Sequence, residues 1–131
     1  MKLLLDTQAF LWHADGNPRI SPTAAALIAD PSNDLFLSMA SVWEIAIKVG
    51  LGKLALSCSF ADYMTKAISG YGFSVLPLTL DDCAEYAAMP FPLREHRDPF
   101  DRFIITHAKR VSATIVGSDG QFDAYGVTRM W

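Results

Sequence analysis

The sequence predicts an α/β protein: a three-layer α/β/α sandwich around a central parallel sheet of four to five strands. Short apolar runs alternate along the chain with longer segments of helical pattern, which is typical of βαβ crossovers. Several helical segments begin at a serine, threonine or aspartate cap, in two places followed by proline. With 131 residues, 51% of them hydrophobic and 19% charged, the chain is expected to fold as one domain spanning residues 1–131.

The strands are expected where apolar residues are continuous and a polar residue or glycine ends the run. They are Met1–Leu5, Leu35–Leu37, Phe73–Leu76, Ala113–Val116 and a short last strand within Val127–Trp131. Helices are expected between them, with a proline-rich loop over Met89–Arg97. The helices are Thr7–Ala14, one from Pro22 to near Asp30, Met39–Val49, Ser59–Ser69, one from Thr79 to about Ala88, and one from Asp98 to about Arg110.

Charge and composition exclude several classes of protein. A net charge of -3 argues against binding nucleic acid by a strongly basic surface. No apolar stretch approaches the roughly 20 residues of a membrane-spanning helix, so no membrane partner is expected. The apolar run at the N-terminus ends at Asp6, which is too early for a signal peptide and indicates a cytoplasmic protein. Cys58 and Cys83 lack the spacing of a zinc site or a disulfide framework.

Four acidic residues are expected to meet at one edge of the sheet. Asp6 and Asp119 follow the first and fourth strands, and ligands of parallel sheets gather at the carboxyl ends of strands. Glu44 lies in the helix after the second strand, and Asp101 lies in the first turn of the helix before the fourth. Clustered carboxylates repel one another unless a cation neutralises them. Oxygen ligands without Cys or His favour Mg²⁺ or Mn²⁺ over zinc.

Each acid also has a purely structural interpretation. Asp6 and Asp98 are suited to cap the helices that follow them, and Asp101 suits the dipole of a helix N-terminus. Glu44 stands in an apolar run, where it is either part of a solvated stripe or a site residue. Asp123 is suited to shape a turn.

Four stretches give the acids a more specific context. They are Leu4-Leu5-Asp6-Thr7, Ser41-Val42-Trp43-Glu44-Ile45, His96-Arg97-Asp98-Pro99-Phe100-Asp101-Arg102 and Gly117-Ser118-Asp119-Gly120-Gln121-Phe122. Together they resemble the PIN-domain family, and the third stretch with the Trp-Glu-Ile of the second resembles VapC-type toxins of toxin–antitoxin pairs. The resemblance extends over essentially the whole chain.

The resemblance implies a Mg²⁺- or Mn²⁺-dependent endoribonuclease, in which metal-activated water attacks an RNA phosphodiester. The family's four catalytic and metal-binding acids fall on Asp6, Glu44, Asp101 and Asp119. Asp6 and Asp101 would be the most direct metal ligands, and the other two would complete the site directly or through water.

Three further residues could join this site. Ser118 matches the small hydroxyl residue that often precedes the family's fourth acid. The resemblance leaves open whether Asp98 or Asp123 contributes to metal binding.

Two arginines flank the pair of acids in the third stretch and are candidates for substrate phosphate contacts. Arg97 precedes Asp98, and Arg102 follows Asp101. For Arg102 an ion pair with Asp98, one helical turn earlier, is an equal alternative. His96 could transfer protons, although a histidine in a loop is more often an ordinary hydrogen-bonding residue.

The aromatic residues Phe10, Trp12 and Trp43 are spaced like core residues on helix faces. The resemblance to VapC-type proteins suggests a second role, because these proteins offer an apolar groove to an antitoxin. A VapB-like antitoxin is therefore an expected partner, with the helix pair Phe10–Ala29 and the segment Trp43–Leu56 as candidates for the groove. The family also implies a homodimer.

Two other functions compete with the nuclease. A phosphatase with Asp6 as nucleophile would want a second Asp two residues on, where the chain has Gln8. A non-catalytic module could use the acidic pocket to hold a basic segment of a partner protein. The same acids serve this module and the nuclease, so metal-dependent turnover must separate them.

Overall fold

Five strands alternate with helices in the computed structural model, which describes all 131 residues. The strands are β1 (Lys2–Leu5), β2 (Asp34–Ser38), β3 (Ser74–Leu76), β4 (Thr114–Val116) and β5 (Arg129–Met130). The α-helices are α1 (Thr7–Ala14), α2 (Pro22–Ala29), α3 (Met39–Gly50), α4 (Phe60–Tyr71), α5 (Leu80–Ala88) and α6 (Pro99–Val111), and a 3₁₀ helix covers Gly120–Tyr125. Every predicted strand and helix is confirmed, with ends that differ by one or two residues.

The strands form one sheet in the order β3-β2-β1-β4-β5, and every neighbouring pair is parallel. The central strand β1 is therefore hydrogen-bonded on both sides, which agrees with its uninterrupted run of leucines. Because all five strands run the same way, their carboxyl ends lie along a single edge.

Helices cover both faces of the sheet, as the predicted three-layer sandwich requires. Leu3 and Leu5 of β1 belong to a core cluster that includes residues of α1, α2, α3 and α4. Leu4 points the other way, into a second cluster built with α6 and the 3₁₀ helix. The alternation along β1 follows from the two-residue repeat of a strand. None of the helices combines the length and the apolar composition that a membrane crossing requires.

Capping side chains define where the helices begin. Ser21 accepts a hydrogen bond from the amide of Ala24 at the start of α2. Thr79 and Asp82 form a reciprocal capping box at the start of α5. At the start of α6, Asp98 accepts from the amides of Phe100 and Asp101, which leaves Asp101 in the first turn of the helix.

The prediction that Trp43 is a core residue is wrong. Its side chain is 54% exposed, because α3 turns Ala40, Ser41 and Ile45 toward the interior and Trp43 away from it. There the indole meets the ring of Phe100 edge-on, with the ring centroids 5.4 Å apart. Phe10 is fully buried, as predicted.

Candidate functional site

The four acids predicted from the sequence converge on one cleft at the carboxyl edge of the sheet. Asp6 and Asp119 follow β1 and β4, while α3 and α6 deliver Glu44 and Asp101. The cleft has a volume of about 230 Å³. Its lining consists of Asp6, Thr7, Gln8, Leu11, Glu44, Lys48, Asp98, Asp101, Ser118 and Asp119. Five of these residues are acidic and one is basic, so the cleft is suited to a cation.

Asp6 is held at the bottom of the cleft by its own helix. Its Oδ1 accepts a 2.7 Å hydrogen bond from the amide of Ala9, which makes it the N-cap of α1. The other oxygen packs against the backbone of Gly117, where a Cβ would lie 2.8 Å from Asp6 Cγ and nearer still to Oδ2. The capping role expected of Asp6 is therefore confirmed for one oxygen, and the other oxygen takes no part in the cap.

Glu44 is oriented by residues of two helices. Thr7 Oγ1 donates to Glu44 Oε1 over 2.7 Å, and Ser41 Oγ lies 2.9 Å from the same threonine hydroxyl. Lys48, one turn further along α3, donates to Glu44 Oε2 over 2.8 Å. Glu44 thus lines the cleft with both carboxylate oxygens hydrogen-bonded, and its side chain is only 13% exposed.

Asp101 is oriented by a buried histidine. His96 Nε2 lies 2.8 Å from Asp101 Oδ2, and its Nδ1 lies 2.8 Å from the hydroxyl of Tyr125. A carboxylate oxygen can only accept, so His96 Nε2–H is the donor. The contact leaves Oδ1 of Asp101 free of the imidazole.

Asp119 and Asp98 also combine capping with a place in the cleft. Asp119 Oδ1 accepts from the amide of Gln121 at the start of the 3₁₀ helix. Asp98 caps α6 through Oδ1, and Ser118 lies beside Asp119 on the lining. These positions bring Asp98 and Ser118 close to the four acids.

The crowded acids hold protons more tightly than isolated carboxyls do. The pKa of Asp6 is raised from 3.8 to about 7, mainly by burial; the negative charges of Asp101, Asp119 and Glu44 add to the rise, and the hydrogen bond from the Ala9 amide opposes it. Burial likewise raises the pKa of Asp101 to about 6, in part offset by the hydrogen bond from His96. Both shifts express mainly the cost of burying a carboxylate, to which the neighbouring negative charges add.

The donor set fits a hard divalent cation. Carboxylate oxygens converge from four separate elements, and no cysteine lies on the lining. One ligand atom from each of His96, Asp101 and Asp119 lies within 4.8 Å of the others. A bound cation would remove the repulsion that raises the pKa of Asp6 and of Asp101.

Arg102 corrects the expectation of a phosphate contact. Its side chain is 1% exposed, and its guanidinium donates to the carbonyl oxygens of Tyr86, Met89 and Pro90. It also stacks on the ring of Phe91, with Cζ 3.8 Å from the ring centroid. Arg102 therefore anchors the chain between α5 and α6, and it forms no ion pair with Asp98.

Asp123 and Arg97 lie away from the cleft lining. For Asp123, whose part in metal binding the sequence left open, the structure shows two 2.9 Å hydrogen bonds from Arg129, one to each carboxylate oxygen. Arg97 is exposed in the loop before α6, where its Nε donates to the carbonyl of Arg94.

Sequence reasoning assigned no role to Thr7 or Gly117. Thr7 directly follows Asp6, so its position in the first turn of α1 was the available signal. Gly117 directly follows the β-branched run of β4 and precedes Ser118 and Asp119. Its importance depends on the approach of Asp6 from another strand, which no local pattern reveals.

Comparison with known proteins identifies the family to which this sequence belongs. The family model described as PIN domain matches residues 3–127. The chain belongs to the PIN domain family. Among curated proteins, none matches the sequence significantly.

Solved structures of similar fold include two VapBC structures and the toxin VapC20. A chain of VapBC2 from Rickettsia felis, bound to a DNA fragment from the promoter, is 17% identical with a TM-score of 0.74, covering 100% of this chain and 99% of that one. VapBC-1 from nontypeable Haemophilus influenzae is 18% identical with a TM-score of 0.68, covering 99% and 97%. VapC20 from Mycobacterium tuberculosis, a toxin that cleaves the sarcin-ricin loop, is 16% identical with a TM-score of 0.69, covering 96% of both chains.

The raised pKa values of this PIN domain predict an unusual dependence of stability on pH when metal is removed. Asp6 is protonated in both the folded and unfolded states below its unfolded pKa of 3.8, so it costs nothing there. As pH rises toward about 7, the folded state retains a proton that the unfolded state has lost, and the cost grows. Above that range Asp6 is expected to reduce the free energy of unfolding by on the order of 4 kcal/mol.

Urea unfolding in EDTA at pH 4 and pH 8, for the wild type and Asp6→Asn, measures this cost. The variant should be the more stable protein at pH 8, and the two should converge toward pH 4. The difference between the two proteins reports Asp6 together with its charge coupling to Asp101, Asp119 and Glu44, since the carboxyls away from the cleft titrate equally in both. An identical pH dependence in the two proteins would contradict the raised pKa.

Proposed function

We propose that this PIN domain is a Mg²⁺- or Mn²⁺-dependent endoribonuclease, the toxin of a type II, VapBC-like toxin–antitoxin system. The observation that carries the proposal is the convergence of Asp6, Glu44, Asp101 and Asp119 on one open cleft. Structural similarity to VapC toxins, one of which cleaves the sarcin-ricin loop, supports RNA as the substrate.

The residues of the cleft would divide the chemistry among them. When bound, the divalent cation supplies water activation and stabilises charge on the phosphate oxygens. Asp6 and Asp101 would hold it with the oxygens that face the cleft. Glu44 is kept in orientation by Thr7, and Asp119 closes the remaining side of the cleft from the end of β4.

Three other residues have subordinate places in the proposal. Asp98 and Ser118 line the cleft and are near enough to contribute through water. Arg97 is exposed beside Asp98 and is proposed to contact an RNA phosphate outside the cleft. A chain of net charge -3 has little general attraction for RNA, so such contacts and the cation would supply the attraction.

A VapB-like antitoxin and a second copy of this chain are the proposed protein partners. Of the two candidate groove segments, Trp43–Leu56 keeps exposed apolar side chains at Trp43 and Leu51, whereas Phe10 of the other segment is core. An antitoxin chain on this surface could place an arginine against the acidic cleft. The structural neighbours include VapBC complexes, which supports an antitoxin partner. A cytoplasmic location is part of the same proposal.

The alternative is a non-catalytic module whose acidic cleft holds a basic segment of a partner. Cleavage of a labelled pool of total cellular RNA by the purified chain, without antitoxin, separates the two functions. We expect discrete products with Mg²⁺ or Mn²⁺ and none with excess EDTA. Absence of metal-dependent products would favour the binding module.

A further inference from the structure

A chain of contacts behind the cleft connects two of the acids through His96. Its imidazole is 4% exposed and lies edge-on to the ring of Phe122, at 6.3 Å, and to that of Tyr125, at 5.4 Å. Both aromatic residues belong to the 3₁₀ helix that begins directly after Asp119. His96 therefore touches Asp101 on one side and, on the other, the helix that Asp119 caps.

Both ring nitrogens of His96 have fixed partners. Nε2 donates to Asp101 Oδ2 over 2.8 Å, and Nδ1 lies 2.8 Å from Tyr125 Oη. The same tyrosine oxygen lies 3.2 Å from the backbone carbonyl oxygen of His96, so both acceptors that its hydroxyl hydrogen can reach belong to His96. Tyr125 thereby determines the rotation of the imidazole, and the imidazole determines the rotation of the Asp101 carboxylate.

We infer that His96 is a positioning residue that holds Oδ2 of Asp101 and so presents only Oδ1 to the cation. The inference rests on the proposed function in so far as it takes Asp101 as a metal ligand. Without the imidazole, the carboxylate of Asp101 is free to rotate on a short helix-terminal side chain. A ligand that must be ordered on binding has lower affinity for the metal than one already in place.

Two other roles for His96 make different predictions. A direct metal ligand is conceivable because its Nε2 lies within 4.8 Å of atoms of Asp101 and Asp119. However, that nitrogen directs its proton to Asp101, so its lone pair is not available to a cation. A proton-transfer role would require a side chain that titrates, which an amide replacement lacks.

The variants His96→Gln and His96→Asn distinguish these roles. Glutamine places its amide nitrogen near the position of Nε2 and can still donate to Asp101. Asparagine places its amide near Nδ1 and cannot reach Asp101. The readouts are Mn²⁺ affinity by titration calorimetry, RNA cleavage, and unfolding temperature in EDTA.

We expect His96→Asn to lose about 10- to 100-fold in Mn²⁺ affinity, the range typical of residues that orient metal ligands. The Mn²⁺ affinity and the RNA cleavage of His96→Gln should each exceed those of His96→Asn by at least about tenfold. The two variants should unfold at similar temperatures in EDTA. Tyr125→Phe, which keeps the ring and removes only Oη, provides a second test that preserves the packing. It should lower Mn²⁺ affinity by a smaller factor, roughly threefold.

Each contrary result overturns the inference in a recognisable way. Equal loss of Mn²⁺ affinity in the Gln and Asn variants would indicate a direct ligand. Equal loss of cleavage with unchanged Mn²⁺ affinity would indicate proton transfer. Wild-type affinity in His96→Asn would show that Asp101 needs no orientation. If the wild type binds Mn²⁺ with the expected variant pattern and cleaves no RNA, the proposed nuclease fails and the positioning role stands.

Discussion

An Asp6→Asn variant is expected to lose metal-dependent RNA cleavage by about a hundredfold or more, while its fold becomes more stable without metal. The amide oxygen of asparagine can still accept from the Ala9 amide, so the cap of α1 is retained. The negative charge that the cation requires is lost. Asparagine is also free of the cost of burying a charged carboxylate, the cost that raises the pKa of Asp6 to about 7.

The measurement combines RNA cleavage in Mg²⁺ or Mn²⁺ with thermal unfolding in EDTA at pH 8. Asp34→Asn is the matched control, because Asp34 is an exposed aspartate at the beginning of β2, the end of the strand remote from the cleft. The control should resemble the wild type in both assays. Full RNA cleavage by Asp6→Asn would show that Asp6 is not a metal ligand. If the variant neither cleaves RNA nor folds, the role of Asp6 is structural.

Replacing Gly117 with alanine is expected to damage the site as severely as removing a metal ligand. The added Cβ would lie 2.8 Å from Asp6 Cγ and closer still to Oδ2. Asp6 cannot move aside easily, because its other oxygen is bound by the Ala9 amide at the start of α1. We expect Mn²⁺ affinity to fall by about tenfold or more and the free energy of unfolding to fall by about 1–3 kcal/mol.

Gly120→Ala is the matched control, since a Cβ there meets nothing nearer than an Arg129 nitrogen at 3.8 Å. Gly120 follows the same strand and lies next to Asp119, so the two variants differ chiefly in their contact with Asp6. Calorimetric titration with Mn²⁺ and urea unfolding in EDTA report the two effects separately. Equal Mn²⁺ affinity in both variants would show that Asp6 adjusts without loss and would contradict the packing argument.

The secondary structure of this protein was predictable because its local signals agree with one another. The leucines of β1 end at Asp6, and a polar cap or a proline marks the start of α2, α5 and α6. A parallel sheet then follows from the alternation of strands and helices, without knowledge of any individual contact. Trp43 escaped prediction because helical spacing does not say which apolar face meets the core.

The four acids were predictable for a related reason. Their positions depend on strand ends and first helical turns, which local sequence marks, and on the rule that parallel strands end at one edge. The outcomes for Arg102 and Asp123 depend on contacts with other elements of the fold. Arg102 is buried by carbonyls from the end of α5, and Asp123 is bound by Arg129 of β5.

The sequence alone was therefore sufficient to establish which strands and helices carry the four acids and at which edge of the sheet the acids gather. Both follow from the hydrophobic period and the capping residues. Tertiary structure was needed to show which carboxylate oxygens are already engaged in hydrogen bonds. Asp6 uses one oxygen to cap α1, Asp101 gives one to His96, and Glu44 is held by Thr7. The cap by Asp6 is local and was predictable, but the Thr7–Glu44 hydrogen bond requires side chains of two helices to meet within about 3 Å. That proximity is a property of packing, because no periodic pattern along a single segment specifies it.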